Sequence, residues 1–176
     1  GVGVIPSFEF SRMEGHLLTL VGQRAIPPGL PLVGTVRRAA DLGGLCVAAH
    51  AFAMDSNSVS KMELRRALEQ AGVSDVLVGV EVYNGGLAHF RDEEHAEALT
   101  RSMGLAVLGN SDAHVPEAIG GGVTCFPGQR AEDLRTALRT RQHTFHEYFS
   151  PSPLTIGVGW FGRYALRKLR QRLGQH

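Results

Sequence analysis

The chain of 176 residues has the length of one domain, and its 43% hydrophobic and 20% charged residues are typical of a globular protein with a buried core. The 18 basic and 17 acidic residues nearly cancel, which excludes a generic nucleic-acid or membrane binder. No apolar run reaches the ~18 residues of a membrane span, and the start lacks a signal-peptide pattern. The two cysteines, Cys46 and Cys125, are too few for a disulfide framework and are predicted to be reduced, buried thiols of a cytoplasmic protein.

Five short apolar runs rich in Val, Leu and Ile are predicted to be strands of a parallel sheet that is covered on both faces. They lie at residues 2–5, 17–21, 45–49, 76–82 and 105–108. The first run opens the chain with neither a methionine nor a helix cap. We therefore expect the sequence to begin inside a domain whose first strands lie upstream.

Amphipathic segments alternate with these runs and predict helices at about 32–42, 60–72, 88–103 and 131–141. Ser60, with Glu63 three residues later, has the pattern of a helix-capping box. Strands and helices that alternate at this interval are typical of βα units, so the predicted fold class is α/β. Periodicity alone leaves the choice between an open sheet and a barrel undecided.

A change of composition after Pro153 divides a predicted domain at 1–150 from a basic C-terminal helix at 151–176. Residues 160–173 contain five basic residues and no acidic residue. One face of this helix would carry residues four apart, namely Phe161, Ala165, Leu169 and Leu173. Three roles stay open: packing of this face on the domain, contact with an RNA or DNA backbone, or contact with a membrane surface.

Four titratable side chains follow the predicted strands. Glu9 comes after the first run, His50 ends the third, and Asp112 and His114 follow the fifth. Because the carboxyl ends of parallel strands form the site face of α/β folds, we expect these groups to converge. The spacing of Asp112 and His114 would point both side chains the same way from an extended chain. Imidazole nitrogens and carboxylate oxygens are ligands for Zn²⁺, Mn²⁺ or Fe²⁺, so the pattern predicts a divalent metal site.

Three further residues are candidates for substrate contact. Glu81 and Asn84 end the fourth predicted strand, where they would contact substrate or support a ligand histidine. Asn84 precedes a glycine, and this pair also fits a simple turn. Arg12 has a guanidinium group suited to phosphate, although a role on the surface is the favoured interpretation.

Four sequence blocks resemble successive motifs of one known family. They read GVGVIPSFEFSRMEGHLLTLVG, GGLCVAAHA, VGVEVYNG and GLAVLGNSDAHVPEAIGGGVT. In this order they resemble the polymerase and histidinol phosphatase (PHP) domain, in particular its stand-alone metal-dependent phosphoesterases. The resemblance covers about residues 2–140, and its most specific part is GNSDAH. It implies a distorted seven-stranded β/α (TIM-like) barrel, of which this chain would lack the first strands.

The resemblance also implies which residues bind metal. One to three divalent ions, with zinc, manganese and iron as candidates, would be held by Glu9, His16, His50, Asp112 and His114. Glu9 would bridge metals, and Glu9, Asp112 and His114 would take part in catalysis. Ala51 stands where the family motif has a proline, which alters the turn but not the ligand. Four of the family's nine ligands precede the Glu9 block and have no counterpart in this sequence.

The implied activity is hydrolysis of a phosphate ester by metal-activated water. The expected substrate is a nucleotide, a nucleoside bisphosphate or the end of an oligonucleotide, and the chain alone is expected to be weak or inactive. The alternative is a truncated, non-catalytic remnant that binds metal or a partner. In either case the metal shared by Glu9, His16 and His50 is expected to remain.

Overall fold

The computed structural model describes residues 4–12, 14–20, 26–52, 58–85, 93–148 and 152–172. The strands within these ranges are β1 (Ser7–Arg12), β2 (Gly15–Leu20), β3 (Leu45–Ala48), β4 (Leu77–Asn84), β5 (Ala106–Asn110), β6 (Gly122–Cys125) and β7 (Thr144–Glu147). The helices are α1 (Leu32–Asp41), α2 (Lys61–Leu68), α3 (Glu93–Ser102), α4 (Ala131–Thr140) and α5 (Pro153–Arg172), with a 3-10 turn at Pro116–Ala118. The fold is mixed α/β, as the alternation of patterns predicted.

The main sheet has five strands in the order β1-β2-β3-β4-β5. The pairs β3–β4 and β4–β5 are parallel, whereas the pairs β1–β2 and β2–β3 are antiparallel. The expectation of a parallel sheet was therefore wrong for its first strands. The first strand is also misplaced, because residues 4 and 5 are not in a strand and residues 2 and 3 lie outside the described part. Residues 7–12 alternate apolar and polar side chains, which is the pattern of a half-exposed strand at a sheet edge.

The strands β3 and β4 are buried on both faces of the sheet, as are the first four residues of β5. Helices α1, α2 and α3 cover one face, where Val36, Leu64 and Ala96 join the larger apolar core. Helix α4 covers the other face and contributes Leu138 to the second core. This two-sided burial explains why the sequences of these strands are continuous apolar runs.

The strands β6 and β7 form a separate antiparallel pair beside β5. The hydroxyl of Thr124 on β6 donates to the carbonyl oxygen of Gly109 at 2.9 Å and accepts from its N–H at 3.0 Å. Phe145 of β7 also lies against Gly109, where an added Cβ would be 3.0 Å from the phenylalanine Cβ. The strands of the described part thus form two sheets, and the closed barrel implied by the resemblance is not seen.

Helix α2 begins with the capping box that the sequence predicted. Ser60 Oγ accepts from the backbone N–H of Glu63 at 3.2 Å, and Glu63 Oε2 accepts from the N–H of Ser60 at 3.0 Å. These two bonds satisfy amide groups that have no partner within the helix. They also fix where the helix starts, at Lys61, three residues after Ser58.

Helix α5 starts seven residues before the predicted basic segment and lies against the 3-10 turn. Arg163 Nη2 is 2.8 Å from Glu117 Oε2, and a Cβ added at Gly159 would lie 3.4 Å from a methyl group of Val115. Phe161 is 68% exposed, so the expected packing of its face on the domain is not observed at this residue. The side chain of Leu169 and all of Leu173 lie outside the described part of the chain.

The sequence predicted no membrane span and two buried cysteines. No described helix is both long enough and apolar enough to span a membrane. Cys46 is buried as predicted, but Cys125 is exposed. The prediction was wrong for Cys125 because it ends β6, whose burial decreases from its first residue to its last.

Candidate metal centre

Two of the predicted ligands are brought together by the hairpin of β1 and β2. Glu9 pairs with Leu18, and Ser11 pairs with His16, so Glu9 and His16 are diagonal neighbours on one face of the hairpin. Glu9 Oε1 lies 2.7 Å from His16 Nδ1. Glu9 therefore reaches the site from within an antiparallel strand, and not from the end of a parallel strand as expected.

The third predicted ligand, His50, follows the end of β3. The N–H of Ala49 donates to the carbonyl oxygen of His16 at 3.1 Å, which places the next residue, His50, beside the hairpin. His50 Nε2 lies 3.0 Å from His16 Nδ1 and 3.7 Å from Glu9 Oε1. Here the parallel-strand argument was sound, because β3 pairs parallel with β4 and ends at the site.

Glu9, His16 and His50 each offer one ligand atom, and these atoms lie within 4.8 Å of one another. One carboxylate oxygen and two imidazole nitrogens form a donor set that suits a divalent transition metal. The His50 side chain is 8% exposed and that of Glu9 is 44% exposed, so the cluster opens to solvent on the Glu9 side. Three protein ligands with an open side are typical of a catalytic metal site rather than a structural one.

The ionisation state of Glu9 is also suitable for binding a metal ion. The imidazoles of His50 and His16 lower the pKa of the Glu9 carboxyl, and partial burial opposes this effect without reversing it. The carboxyl is therefore ionised at neutral pH. An ionised carboxylate can bind a cation without first losing a proton.

A buried carboxylate supports His50 from behind. Glu81 is 2% exposed, and its Oε2 accepts from the backbone N–H of His50 and from Asn84 Nδ2, both at 2.7 Å. Its Oε1 accepts from Asn110 Nδ2 at 2.6 Å. Burial raises the pKa of Glu81, while these three N–H donors oppose that shift by stabilising the carboxylate. The structure thus places Glu81 and Asn84, two candidates for substrate contact, in the interior, where Glu81 binds the backbone of His50.

Asp112 and His114 are not part of the three-ligand cluster in the described structure. Asp112 has a φ of +43°, so the chain is not extended there as expected, yet the two side chains still approach each other, with His114 Nδ1 3.8 Å from Asp112 Oδ1. Asp112 is close enough to Glu81 for its charge to raise the Glu81 pKa, which places it at the same end of the sheet. The His114 side chain is 67% exposed, with Nδ1 2.9 Å from the Asp112 carbonyl oxygen. The side chain of Arg12, the remaining candidate, lies outside the described part.

Sequence reasoning missed two residues of this site, Ser58 and Asn110. Ser58 Oγ lies 3.2 Å from His50 Nδ1 and donates to the carbonyl oxygen of His50 at 2.8 Å. Serine and asparagine are common turn residues, and their partners here lie 8 and 29 positions away in the sequence. The signals for Asn110 were its place just after a predicted strand and inside the GNSDAH block.

Comparison with known proteins shows similarity in part of the sequence and in the fold. Residues 91–143 match the model of a family described as PHP-associated. A two-domain protein from Bacteroides vulgatus ATCC 8482, which contains a predicted PHP-like metal-dependent phosphoesterase, has a similar fold with a TM-score of 0.63 and 22% identity. The aligned part covers 83% of this chain and 44% of the Bacteroides chain, so it spans less than half of that protein.

A second structure is less similar to this chain. It is a protein from Bifidobacterium adolescentis ATCC 15703 for which metal-dependent phosphoesterase activity is likewise a prediction. Its TM-score is 0.45 with 24% identity, and the alignment covers 67% of this chain and 41% of the other. No curated protein matches the sequence.

Proposed function

We propose that this chain, as its resemblance to PHP-like phosphoesterases suggests, hydrolyses phosphate esters with the help of a divalent metal ion held by Glu9, His16 and His50. The observation that carries the proposal is the convergence of their three ligand atoms within 4.8 Å. A nucleotide, a nucleoside bisphosphate or an oligonucleotide end is the substrate class we propose. Zinc, manganese and iron are the candidate metals, because each accepts mixed imidazole and carboxylate ligands.

Different residues of the chain have different roles in the proposed reaction. The bound ion supplies a Lewis acid for water and for the phosphoryl group. Ionised Glu9 contributes negative charge to the site and lies on its open side, where substrate enters. We propose that Asp112 and His114 bind a second, weaker ion or the substrate phosphate from the end of β5. Arg12 remains a proposed phosphate contact.

Metal-dependent turnover is the first test. The chain is stripped with a chelator, reloaded with Zn²⁺ or Mn²⁺, and assayed with a nitrophenyl phosphodiester. We expect hydrolysis only after reloading and a loss of at least ~10²-fold in Glu9→Gln, because the neutral amide removes a ligand charge. His146→Ala, which removes an exposed imidazole from β7, is the matched control and should keep the activity.

The other results of this assay separate the two functions considered. Hydrolysis that persists in the metal-free protein and in Glu9→Gln would overturn the proposal. Metal binding without hydrolysis of any phosphoester offered would favour the alternative, a metal-binding protein without turnover.

We further propose that helix α5 contacts the phosphate backbone of an oligonucleotide substrate. All five basic residues after Pro153 lie in 163–172, whereas all 17 acidic residues of the chain precede Pro153. Helix α5 thus carries a concentration of positive charge, although the net charge of the whole chain is only +1. Lys168 and Tyr164 on this helix are exposed, which fits backbone contact better than packing.

The triple variant Arg167→Gln, Lys168→Gln, Arg170→Gln tests this contact. We expect weaker binding of a single-stranded oligonucleotide and a log–log salt slope smaller by about 2, since each lost phosphate contact on a single strand accounts for roughly 0.7. Fluorescence anisotropy at several salt concentrations measures both quantities. Lys61→Gln, Arg65→Gln, Arg66→Gln on α2 changes the net charge equally and is the control. Equal losses in the two triple variants would show that only net charge matters and contradict the proposal.

A further inference from the structure

The ring of His50 makes its second contact with Ser58. Ser58 has one hydroxyl proton, and this proton is donated to the carbonyl oxygen of His50 at 2.8 Å. Towards the ring, Ser58 Oγ therefore acts as an acceptor, at 3.2 Å from Nδ1. The proton of the neutral His50 ring must then be on Nδ1.

The opposite side of the ring agrees with this assignment. With the proton on Nδ1, His50 Nε2 carries a lone pair and can accept a hydrogen bond. His16 Nδ1 lies 3.0 Å from it and 2.7 Å from Glu9 Oε1, so one N–H of His16 is shared by two acceptors. Each group from Ser58 to Glu9 then has a donor or an acceptor role in the metal-free protein, and the proton on His16 Nδ1 is the one that an arriving ion would displace. The lone pair of Nε2 is directed into the cluster, where a metal would bind.

We propose that Ser58 is a positioning residue that selects the metal-binding tautomer of His50. The inference rests on the proposed function, because it assigns Nε2 as the atom that binds the ion. Without Ser58, a neutral imidazole can move its proton to Nε2 and block the ligand atom. The partner of the second ring nitrogen commonly fixes the tautomer of a metal-binding histidine.

The backbone around His50 explains why a serine eight residues away can do this. His50 has a φ of +30° and Phe52 a φ of +64°, both in the left-handed region that side chains rarely adopt. The bond from Ser58 Oγ to the His50 carbonyl and the bond from Phe52 N–H to the Val59 carbonyl at 3.1 Å close this turn. Glu81 holds the N–H of His50 from the other side. Ring and backbone are therefore fixed before any ion arrives.

The test uses the metal-free protein and does not depend on activity. Ring ¹⁵N chemical shifts of His50 distinguish the two neutral tautomers at a pH above the usual imidazole range. We expect the Nδ1–H form in the wild type and in Ser58→Thr, which keeps the hydroxyl. Ser58→Ala and Ser58→Cys should show a mixture of tautomers. Binding of Zn²⁺, measured by calorimetry, should weaken about 10–100-fold in both, as expected for loss of such a partner.

Ser60→Ala is the matched control, because it also removes a serine hydroxyl near α2 but acts on the helix cap. It should lower thermal stability and leave both the His50 tautomer and the Zn²⁺ affinity unchanged. A fixed Nδ1–H tautomer in folded Ser58→Ala and Ser58→Cys would overturn the inference about Ser58. A wild-type protein that shows this tautomer but binds no metal would instead overturn the proposed function, so the two failures are distinguishable.

Discussion

His50→Ala should abolish tight metal binding, because it removes the most buried of the three ligands and leaves Glu9 and His16 on a two-stranded hairpin. Removing a supporting partner of a ligand costs roughly 10–100-fold in metal affinity, and loss of a ligand itself should cost more. We expect the wild type to retain about one divalent ion per chain after dialysis against a weak chelator, with weaker occupancy near Asp112 and His114. Elemental analysis of both proteins makes the comparison.

Thermal unfolding gives an independent measure of the same effect. An ion present at about 100 times its dissociation constant stabilises a folded protein by about 2.7 kcal/mol. The wild type should therefore show a clear rise in melting temperature with added Zn²⁺, and His50→Ala should show little. His146→Ala removes a histidine outside the cluster and should respond to Zn²⁺ like the wild type. Equal metal retention by wild type and His50→Ala would show that the cluster is not the binding site.

Glu81→Ala should be the most destabilising change near the site. It leaves two buried N–H donors, from His50 and Asn84, and one half-buried donor, from Asn110, without their acceptor. Each buried donor left unsatisfied costs about 1–3 kcal/mol, so we expect a loss of at least ~2 kcal/mol in the free energy of unfolding. Urea denaturation measures it directly.

Two further variants show whether the network causes this loss. Glu81→Gln keeps one acceptor oxygen and should cost less than Glu81→Ala. Glu97→Ala removes a glutamate that pairs with Arg101 on the surface of α3, and such pairs contribute about 0.3–0.5 kcal/mol. If Glu81→Ala cost no more than Glu97→Ala, the buried network would not be what stabilises the fold here.

The sequence predicted those elements whose burial has a simple period. The strands β3, β4 and β5 are buried on both faces and read as continuous apolar runs, and α2 has a cap that two residues specify locally. The first strand was misplaced because an exposed edge strand alternates polar and apolar residues, and the stronger apolar run at 2–5 precedes it. The pair β6 and β7 is short and partly exposed, so its pattern is weak.

The candidate site could be predicted only in part, for a related reason. His50 was found at the end of a parallel strand, as the general rule for α/β sheets requires. His16 lies inside an antiparallel strand, and only the resemblance to PHP domains indicated it. Ser58 and Asn110 act through contacts made by the folded chain, so their positions in the sequence gave no comparable sign. The periodicity of apolar residues likewise could not predict the left-handed backbone conformation at Asp112.

The hairpin that carries Glu9 and His16 lies at one edge of the five-stranded sheet, while His50 follows its interior strand β3. An ion bound to all three would join His50 to the hairpin, whose nearer ligand His16 is 34 positions away, much as a disulfide closes a loop. Within the described sheet β1 pairs only with β2, and edge strands fray more readily than interior strands, so in this chain alone opening of β1 would separate Glu9 from the ion before the other two ligands. The rate of metal dissociation would then depend on how often β1 opens locally, and a bound ion would in turn make that opening rarer.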